Sequence, residues 1–161
     1  MPTSALDPPA VVIDAGVGVC SALDVPLSDA TGRAWNEWRQ VKAEIYAPQL
    51  WRYEVTSVIR KALALGDLEA DEAQDGLDTA LALEVALVVA DDALCRSAFR
   101  WAARLRQNAA YDGFYLALAE RLGANFWTTD KRLVNATRQA GVAWAHWIGE
   151  LEADTPHPKS K

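Results

Sequence analysis

Two short apolar stretches decide the fold, Val11-Val12-Ile13-Asp14 and Phe126-Trp127-Thr128-Thr129-Asp130, and each of them ends in an aspartate. An ionised carboxylate beside a protein core is costly unless positive charge or hydrogen-bond donors meet it. If the two stretches are neighbouring parallel strands, their carboxyl ends meet at one edge of the sheet, where open α/β sheets bind ligands. We therefore expect Asp14 and Asp130 to lie together at that edge.

Segments typical of strands and of helices alternate along the rest of the chain. Such alternation indicates an α/β fold in which helices cover both faces of a parallel sheet. Gly66, Gly123 and Gly141 are each predicted to end a helix. The predicted strands are 11–14, 45–47, 85–90, 125–129 and 142–148, and the predicted helices are 28–44 with Ser28 as N-cap, 48–66, 67–83, 91–105, 110–122 and 130–140.

Length and composition indicate one globular domain. The chain has 161 residues, of which 51% are hydrophobic, and we place the domain at residues 1–150. The polar segment 151–161 is predicted to be a disordered tail. The start of the chain resembles no secretory signal, and no apolar run approaches the ~20 residues that cross a bilayer. We therefore expect a cytoplasmic protein that does not bind a membrane.

Charge and cysteine content narrow the function further. The net charge of −6 opposes broad, non-specific binding to nucleic acid. It does not exclude a nuclease, because acids that bind a metal add negative charge without repelling the substrate once the metal is bound. Cys20 and Cys95 are too few for a disulfide framework, and both are predicted to be buried thiols in a reducing compartment.

Two further acids occupy unusual positions. Glu54 lies beside the apolar stripe of its predicted helix, and Asp112 lies in the first turn of the helix that starts near residue 110. Carboxylate oxygens without His or Cys suit a hard cation such as Mg²⁺ or Mn²⁺. Each acid also has a simpler structural explanation. Asp14 could form a turn, Glu54 could pair with Arg52 or Lys61, Asp112 could interact with the helix dipole, and Asp130 could cap a helix.

Four segments together resemble the PIN-domain nucleases, and most closely the VapC-type toxins of toxin–antitoxin pairs. The resemblance covers roughly residues 10 to 150 in the expected order, and it implies a three-layer α/β/α sandwich around a parallel sheet of four or five strands. The segments are Val11-Val12-Ile13-Asp14-Ala15-Gly16-Val17, Ala47-Pro48-Gln49-Leu50-Trp51-Arg52-Tyr53-Glu54-Val55, Tyr111-Asp112-Gly113-Phe114-Tyr115-Leu116-Ala117-Leu118-Ala119-Glu120, and Phe126-Trp127-Thr128-Thr129-Asp130-Lys131-Arg132-Leu133.

The resemblance also implies an activity and partners. It implies an endoribonuclease that cleaves single-stranded RNA, binds Mg²⁺ or Mn²⁺, forms a homodimer and is inhibited by an antitoxin protein. An antitoxin would bind in the groove between helix 48–66 and the helices after it, near Leu63, Leu65 and Leu68. Carried over by motif, the residues that bind the metal and catalyse the reaction are Asp14, Glu54, Asp112 and Asp130.

The sequence departs from the family pattern at two places. Gly16 stands where a Ser, Thr or Asn often follows the first aspartate, so one polar contact to the site is expected to be missing. The acid that sometimes follows the last aspartate is also absent, and Val134 and Asn135 lie in that stretch. Thr128 and Thr129 are candidates for orienting a ligand or a water, although β-branched residues are common in strands.

Two other functions fit parts of the sequence. A receiver-like signalling module would bind Mg²⁺ and accept a phosphoryl group at Asp14 or at Asp91-Asp92, but the acid pair expected before Asp14 is replaced by Val12 and Ile13. A catalytically inactive PIN-like domain would only bind a partner. Arg96, Arg100 and Arg104 recur on one predicted helix face and could contact phosphates, although a solvated face is the simpler interpretation.

Overall fold

The structure is a computed structural model that describes residues 9–152. It contains five strands, seven α-helices and a final 3-10 helix within that range. The elements in chain order are β1 Ala10–Ile13, α1 Ala15–Ala22, α2 Ser28–Gln40, β2 Glu44–Pro48, α3 Leu50–Leu65, α4 Ala70–Leu81, β3 Ala86–Val88, α5 Asp92–Arg104, α6 Tyr111–Leu122, β4 Asn125–Thr128, α7 Lys131–Gln139, β5 Ala145–Trp147 and the 3-10 helix Ile148–Leu151.

The five strands form one parallel sheet in the order β3-β2-β1-β4-β5. In the central strand β1, Val12 lies opposite Tyr46 of β2 on one side and Phe126 of β4 on the other. The sequences of the strands are mostly apolar because helices cover both faces of the sheet. This arrangement confirms the predicted α/β fold, with a parallel sheet of five strands flanked by helices.

Helix α6 packs on the sheet and contacts β1, β2 and β4. Its residues 115–119 are all buried, so it is apolar over much of its circumference. It also packs closely against α5, since a Cβ atom added at Gly113 would lie 2.4 Å from the backbone oxygen of Ala98. The start of α6, which carries Asp112, is therefore fixed by a contact that only glycine allows.

Helix α1 was not predicted. Gly16 and Gly18 lower the helix propensity of this segment, and the sequence offers no apolar periodicity to offset it. The structure explains Gly18, because a Cβ atom there would lie 2.5 Å from Cζ2 of Trp51. The indole Nε1 of Trp51 also donates a hydrogen bond of 3.0 Å to the backbone oxygen of Asp14. Tertiary packing against α3 therefore overrides the weak local preference.

Several predicted details were wrong. Leu27, in a left-handed conformation, is the N-cap of α2, while the hydroxyl of Ser28 accepts a 2.9 Å hydrogen bond from the backbone N–H of Val25. Strands β3 and β5 are shorter than predicted, and Ile148 begins the 3-10 helix. Cys20 is half-buried and Cys95 is exposed, so a buried thiol is wrong for Cys95.

Gly66, Gly123 and Gly141 have the left-handed backbone that was predicted at the helix ends. Most of the predicted tail, residues 153–161, lies outside the described residues. Within the described residues, no helix is both long and apolar enough to cross a membrane.

Replacing Gly113 with Ala should destabilise the protein by about 1–3 kcal/mol, because the added methyl group overpacks the contact with the α5 backbone. The matched control is Gly32→Ala in α2, where nothing lies within 4 Å of the added Cβ atom. The free energy of unfolding of that variant should rise by about 0.5–1 kcal/mol, because alanine has a higher helix propensity than glycine. Urea unfolding of both variants measures the two effects, and equal changes would contradict the α5–α6 contact as the cause.

Candidate active site

The four predicted acids surround the carboxyl-terminal edge of the sheet. Asp14 directly follows β1, and Asp130 lies two residues after the end of the adjacent strand β4. Glu54 lies in the early part of α3, which follows β2, and Asp112 is the second residue of α6. The expectation that Asp14 and Asp130 share one edge of the sheet is confirmed.

Electrostatic repulsion connects all four carboxylates. Asp14 interacts with Glu54 and with Asp112, Glu54 interacts with Asp112, and Asp112 interacts with Asp130. Like charges this close oppose one another's ionisation, and burial opposes it further. The fold therefore brings together acids that are distant in sequence, at a cost in stability that a structural role alone does not explain.

Asp14 is the most strongly perturbed of the four. Its carboxylate accepts a 2.9 Å hydrogen bond from the backbone N–H of Val17, which caps α1, and a second hydrogen bond from the hydroxyl of Thr128. Burial raises the pKa of Asp14 from 3.8 to about 6 and outweighs the lowering by the hydrogen bonds from Thr128 and Val17, while the charges of Glu54 and Asp112 raise it by smaller amounts. Asp14 thus caps a helix and does not form the turn that was offered as a structural explanation, and a cap does not account for this shift.

Thr128 connects the two strand ends. It is fully buried, and its hydroxyl donates to the Asp14 carboxylate while accepting a 2.9 Å hydrogen bond from the backbone N–H of Asp130. Asp130 in turn caps α7, because its Oδ1 accepts hydrogen bonds of 2.9 Å and 3.1 Å from the backbone N–H groups of Arg132 and Leu133. One threonine hydroxyl thus fixes both aspartates relative to each other.

Glu54 is held by a tyrosine rather than by a basic residue. The hydroxyl of Tyr115 donates a 2.7 Å hydrogen bond to Oε1 of Glu54, and no ion pair with Glu54 occurs among residues 9–152. The Tyr115 ring is buried and stacks on Phe126 at 6.0 Å between centroids, which fixes its direction. Burial, and then Asp112, raise the pKa of Glu54 despite the tyrosine hydrogen bond.

Asp112 is held by an amide. Nε2 of Gln107 donates a 2.8 Å hydrogen bond to Oδ2 of Asp112, and burial and the nearby Asp130 raise the pKa of Asp112. Sequence reasoning identified neither Gln107 nor Tyr115. The only sequence feature that could have indicated a donor is Tyr115, which carries a hydroxyl on a buried helix face three positions after Asp112.

The four carboxylates are chemically suited to bind a divalent cation. It offers only carboxylate oxygens, which hard cations such as Mg²⁺ and Mn²⁺ prefer, and a cation would relieve the mutual repulsion of the acids. The side chains do not converge as they stand, because no group of three or more His, Cys, Asp or Glu within residues 9–152 is placed to hold a metal ion. One oxygen of Glu54 and one oxygen of Asp112 accept a hydrogen bond from a side chain, and both oxygens of Asp14 accept hydrogen bonds.

Thr129 accounts for the unusual Gly16. A Cβ atom at Gly16 would lie 2.0 Å from Oγ1 of Thr129, so the threonine side chain fills the space that a side chain at position 16 would need. Thr129 is half-buried, and its hydroxyl makes no hydrogen bond within the described part of the chain. A hydroxyl is therefore present beside the first turn of α1, although it comes from the end of β4.

Asp91, Asp92, Arg96 and Arg104 have structural partners. Asp91 caps α5 and pairs with Arg121 through nitrogen–oxygen distances of 2.8 Å and 3.1 Å, and this interaction lowers its pKa. Arg96 pairs with Asp92 at 3.6 Å, and the Arg104 guanidinium lies 4.7 Å from the centre of the Trp101 ring. These contacts give no support to a phosphoacceptor at Asp91-Asp92 or to a free row of arginines.

Asp14→Asn should stabilise the protein at neutral pH. Because the folded pKa of Asp14, about 6, exceeds its ordinary 3.8, the wild type loses this part of its stability as the pH rises through that interval. The variant lacks this loss and should be more stable above pH 6 by on the order of 1–3 kcal/mol, with no advantage below pH 4. Urea unfolding between pH 4 and 8 in EDTA measures this, and parallel stability curves would contradict it.

Comparisons with known proteins agree with this architecture. PAE2754 from Pyrobaculum aerophilum is similar with a TM-score of 0.61 and 19% sequence identity, and the alignment covers 91% of each chain. VapC20 from Mycobacterium tuberculosis has a TM-score of 0.58 and 12% identity, with 78% of this chain and 94% of that chain covered. VapBC2 from Rickettsia felis, bound to a promoter DNA fragment, has a TM-score of 0.62 and 11% identity, with 86% of this chain and 98% of that chain covered. No curated protein sequence matches the chain. The sequence does match the PIN domain family over residues 12–139, and since this match spans most of its length, the protein belongs to the PIN domain family.

Proposed function

We propose that this protein is a metal-dependent endoribonuclease that cleaves single-stranded RNA. The observation that carries the proposal is the gathering of Asp14, Glu54, Asp112 and Asp130 around the carboxyl-terminal edge of the sheet. The pKa values of Asp14, Glu54 and Asp112 are raised, and acids of this kind that gather at a ligand-binding edge are typical of functional sites. These four residues would hold Mg²⁺ or Mn²⁺.

When bound, such a cation lowers the pKa of a water and stabilises the charge that develops on a phosphoryl group. The residues of the chain supply orientation. Tyr115 holds one oxygen of Glu54 through its 2.7 Å hydrogen bond, and Thr128 holds Asp14. Asp130 uses Oδ1 to cap α7, and its Oδ2 accepts no hydrogen bond within the described residues, so that oxygen is available to a ligand.

Two exposed tyrosines that adjoin the acids in the sequence are proposed to support an unpaired substrate. Tyr53 precedes Glu54 and is 63% exposed, and Tyr111 precedes Asp112 and is 60% exposed. Exposed aromatic rings bind single strands by stacking on bases that are not paired. RNA as the substrate class is supported by the similarity to VapC20, which is described as a toxin that cleaves the sarcin-ricin loop.

The toxin role requires a protein partner, and the groove between α3 and α4 is the surface we propose for it. A cleft of about 220 Å³ lies there, with mostly apolar walls. Leu63 and Leu77 line the groove, whereas Leu65 is 67% exposed and lies outside it. A short antitoxin would insert a basic or apolar segment into this cleft. A homodimer and a cytoplasmic location belong to the same proposal.

Neutralising any one of the four acids should abolish activity. Asp14→Asn, Glu54→Gln, Asp112→Asn and Asp130→Asn each keep the side-chain shape while removing one ligand charge. Each should lower the rate of Mg²⁺- or Mn²⁺-dependent cleavage of single-stranded RNA by more than about 100-fold. This loss is larger than the roughly 10–100-fold loss of activity that is typical when a hydrogen-bond partner of a metal ligand is replaced. Each should also reduce the rise in Tm that the metal causes in the wild type.

The matched control is Asp92→Asn, which removes a carboxylate that is 91% exposed and pairs with Arg96. It should retain both cleavage and metal stabilisation. Single-stranded DNA and duplex RNA of the same sequence test the substrate class. RNA cleavage by the wild type in EDTA would contradict metal dependence. A wild type that neither cleaves RNA nor gains stability from metal would instead indicate a partner-binding PIN domain without activity.

Substitutions in the groove should release the partner. Leu63→Lys and Leu77→Lys place charge on its apolar wall and should weaken binding of the protein encoded by the adjacent small reading frame by about 10-fold or more. Leu65→Lys is the matched control and should bind as the wild type does. Co-purification of tagged variants with the co-expressed partner measures this effect. If the chain finds no partner and does not slow growth, the toxin role is wrong while the nuclease proposal stands.

A further inference from the structure

Gln107 has an unusual hydrogen-bond pattern. Its Nε2 donates a 2.8 Å hydrogen bond to Oδ2 of Asp112, whereas its Oε1 is the one buried side-chain polar atom without a partner among residues 9–152. An unpaired buried acceptor is unfavourable, and folded proteins contain few of them. Reversing the amide would not help, because it would turn Oε1 toward the carboxylate and place two acceptors against each other.

The backbone before Gln107 is also unfavourable. Helix α5 ends in a turn in which the backbone N–H of Gln107 donates to the oxygen of Ala102 at 2.8 Å and that of Arg106 donates to Ala103 at 3.1 Å. This turn requires a left-handed residue, which is usually glycine, but here Arg106 adopts it with a φ of 55°. A non-glycine residue in this region is strained, and Lys42 adopts the same conformation after α2 with a φ of 54°.

Both unfavourable features serve the same contact. The tight turn after α5 brings Gln107 back toward the start of α6, where Asp112 lies five residues further along the chain. The start of α6 is itself fixed by the close approach of Gly113 to the backbone of Ala98. Asp112 thus sits on a rigid helix end, and the amide of Gln107 determines the direction of one of its oxygens.

We propose that Gln107 is a positioning residue of the active site, which orients Asp112 so that its carboxylate can bind the divalent metal. This inference rests on the proposed nuclease function. A polar side chain that only linked α5 to α6 would be expected to have both of its polar atoms paired, whereas Oε1 of Gln107 has no partner among residues 9–152.

The test is Gln107→Met in the full chain, with Mn²⁺ alone as the probe. Methionine keeps the length of the side chain, removes the unpaired oxygen and cannot donate to Asp112. The metal-free variant should unfold at the same Tm as the wild type or higher. Calorimetric titration should show Mn²⁺ binding about 10–100-fold more weakly, with a smaller metal-induced rise in Tm. The matched control is Gln74→Met, which removes a 3.2 Å amide–carboxylate contact with Asp78 on the exposed surface of α4 and should leave both measurements unchanged.

A second, stabilising variant keeps the metal affinity measurable if Gln107→Met alone destabilises the fold. Arg106→Gly relieves the left-handed strain without touching Gln107, so it should raise the metal-free Tm and leave Mn²⁺ affinity within about twofold of the wild type. The double variant Arg106→Gly/Gln107→Met then keeps a stable fold in which the loss of affinity is measurable. Weakened Mn²⁺ binding in this double variant supports the positioning role.

Wild-type Mn²⁺ affinity in Gln107→Met or in the double variant would overturn the inference, whatever happens to stability. If Asp112→Asn abolishes Mn²⁺ binding while Gln107→Met does not, only the role of Gln107 is wrong and the nuclease proposal stands. If the wild type itself does not bind Mn²⁺, the metal-dependent function and the positioning role are both overturned.

Discussion

The repulsion among four carboxylates at one edge of a parallel sheet is the constraint on which the surrounding structure depends. Three buried or half-buried donors oppose it, and each comes from a different part of the chain. Thr128 at the end of β4 holds Asp14, Tyr115 in α6 holds Glu54, and Gln107 after α5 holds Asp112. The helices and strands around the site therefore position hydrogen-bond donors as well as acids.

Close packing of the core fixes the positions of these hydrogen-bond donors. Tyr115 is confined between Phe126 and the core, and Gly113 allows α6 to approach the backbone of α5. Trp51 performs a similar role for Asp14, because its indole contacts Gly18 and binds the Asp14 backbone oxygen. A rigid apolar core fixes side-chain positions to fractions of an ångström, which the chemistry of a metal site requires.

Much of the fold, and the placement of Asp14 and Asp130 at one edge of the sheet, could be predicted from the sequence, because their signals are local. Apolar runs predict the strands, glycines such as Gly66 and Gly123 predict helix ends, and an acid after an apolar run is conspicuous. The donors could not be predicted in the same way. The hydrogen bond between Tyr115 and Glu54 joins residues 61 positions apart, and that between Thr128 and Asp14 joins residues 114 apart. Helix α1 was missed for a related reason, since its glycines serve contacts with distant residues.

The contact between Gly16 and Thr129 affects how such sites are recognised by sequence. The two positions compete for one space, so a side chain at one requires a smaller residue at the other. Substitutions there should therefore occur as coupled pairs in evolution, with the hydroxyl moving between the start of α1 and the end of β4. A motif search that demands a hydroxyl residue two positions after the first aspartate would reject this chain. A pattern that accepts the hydroxyl from either segment would retain it.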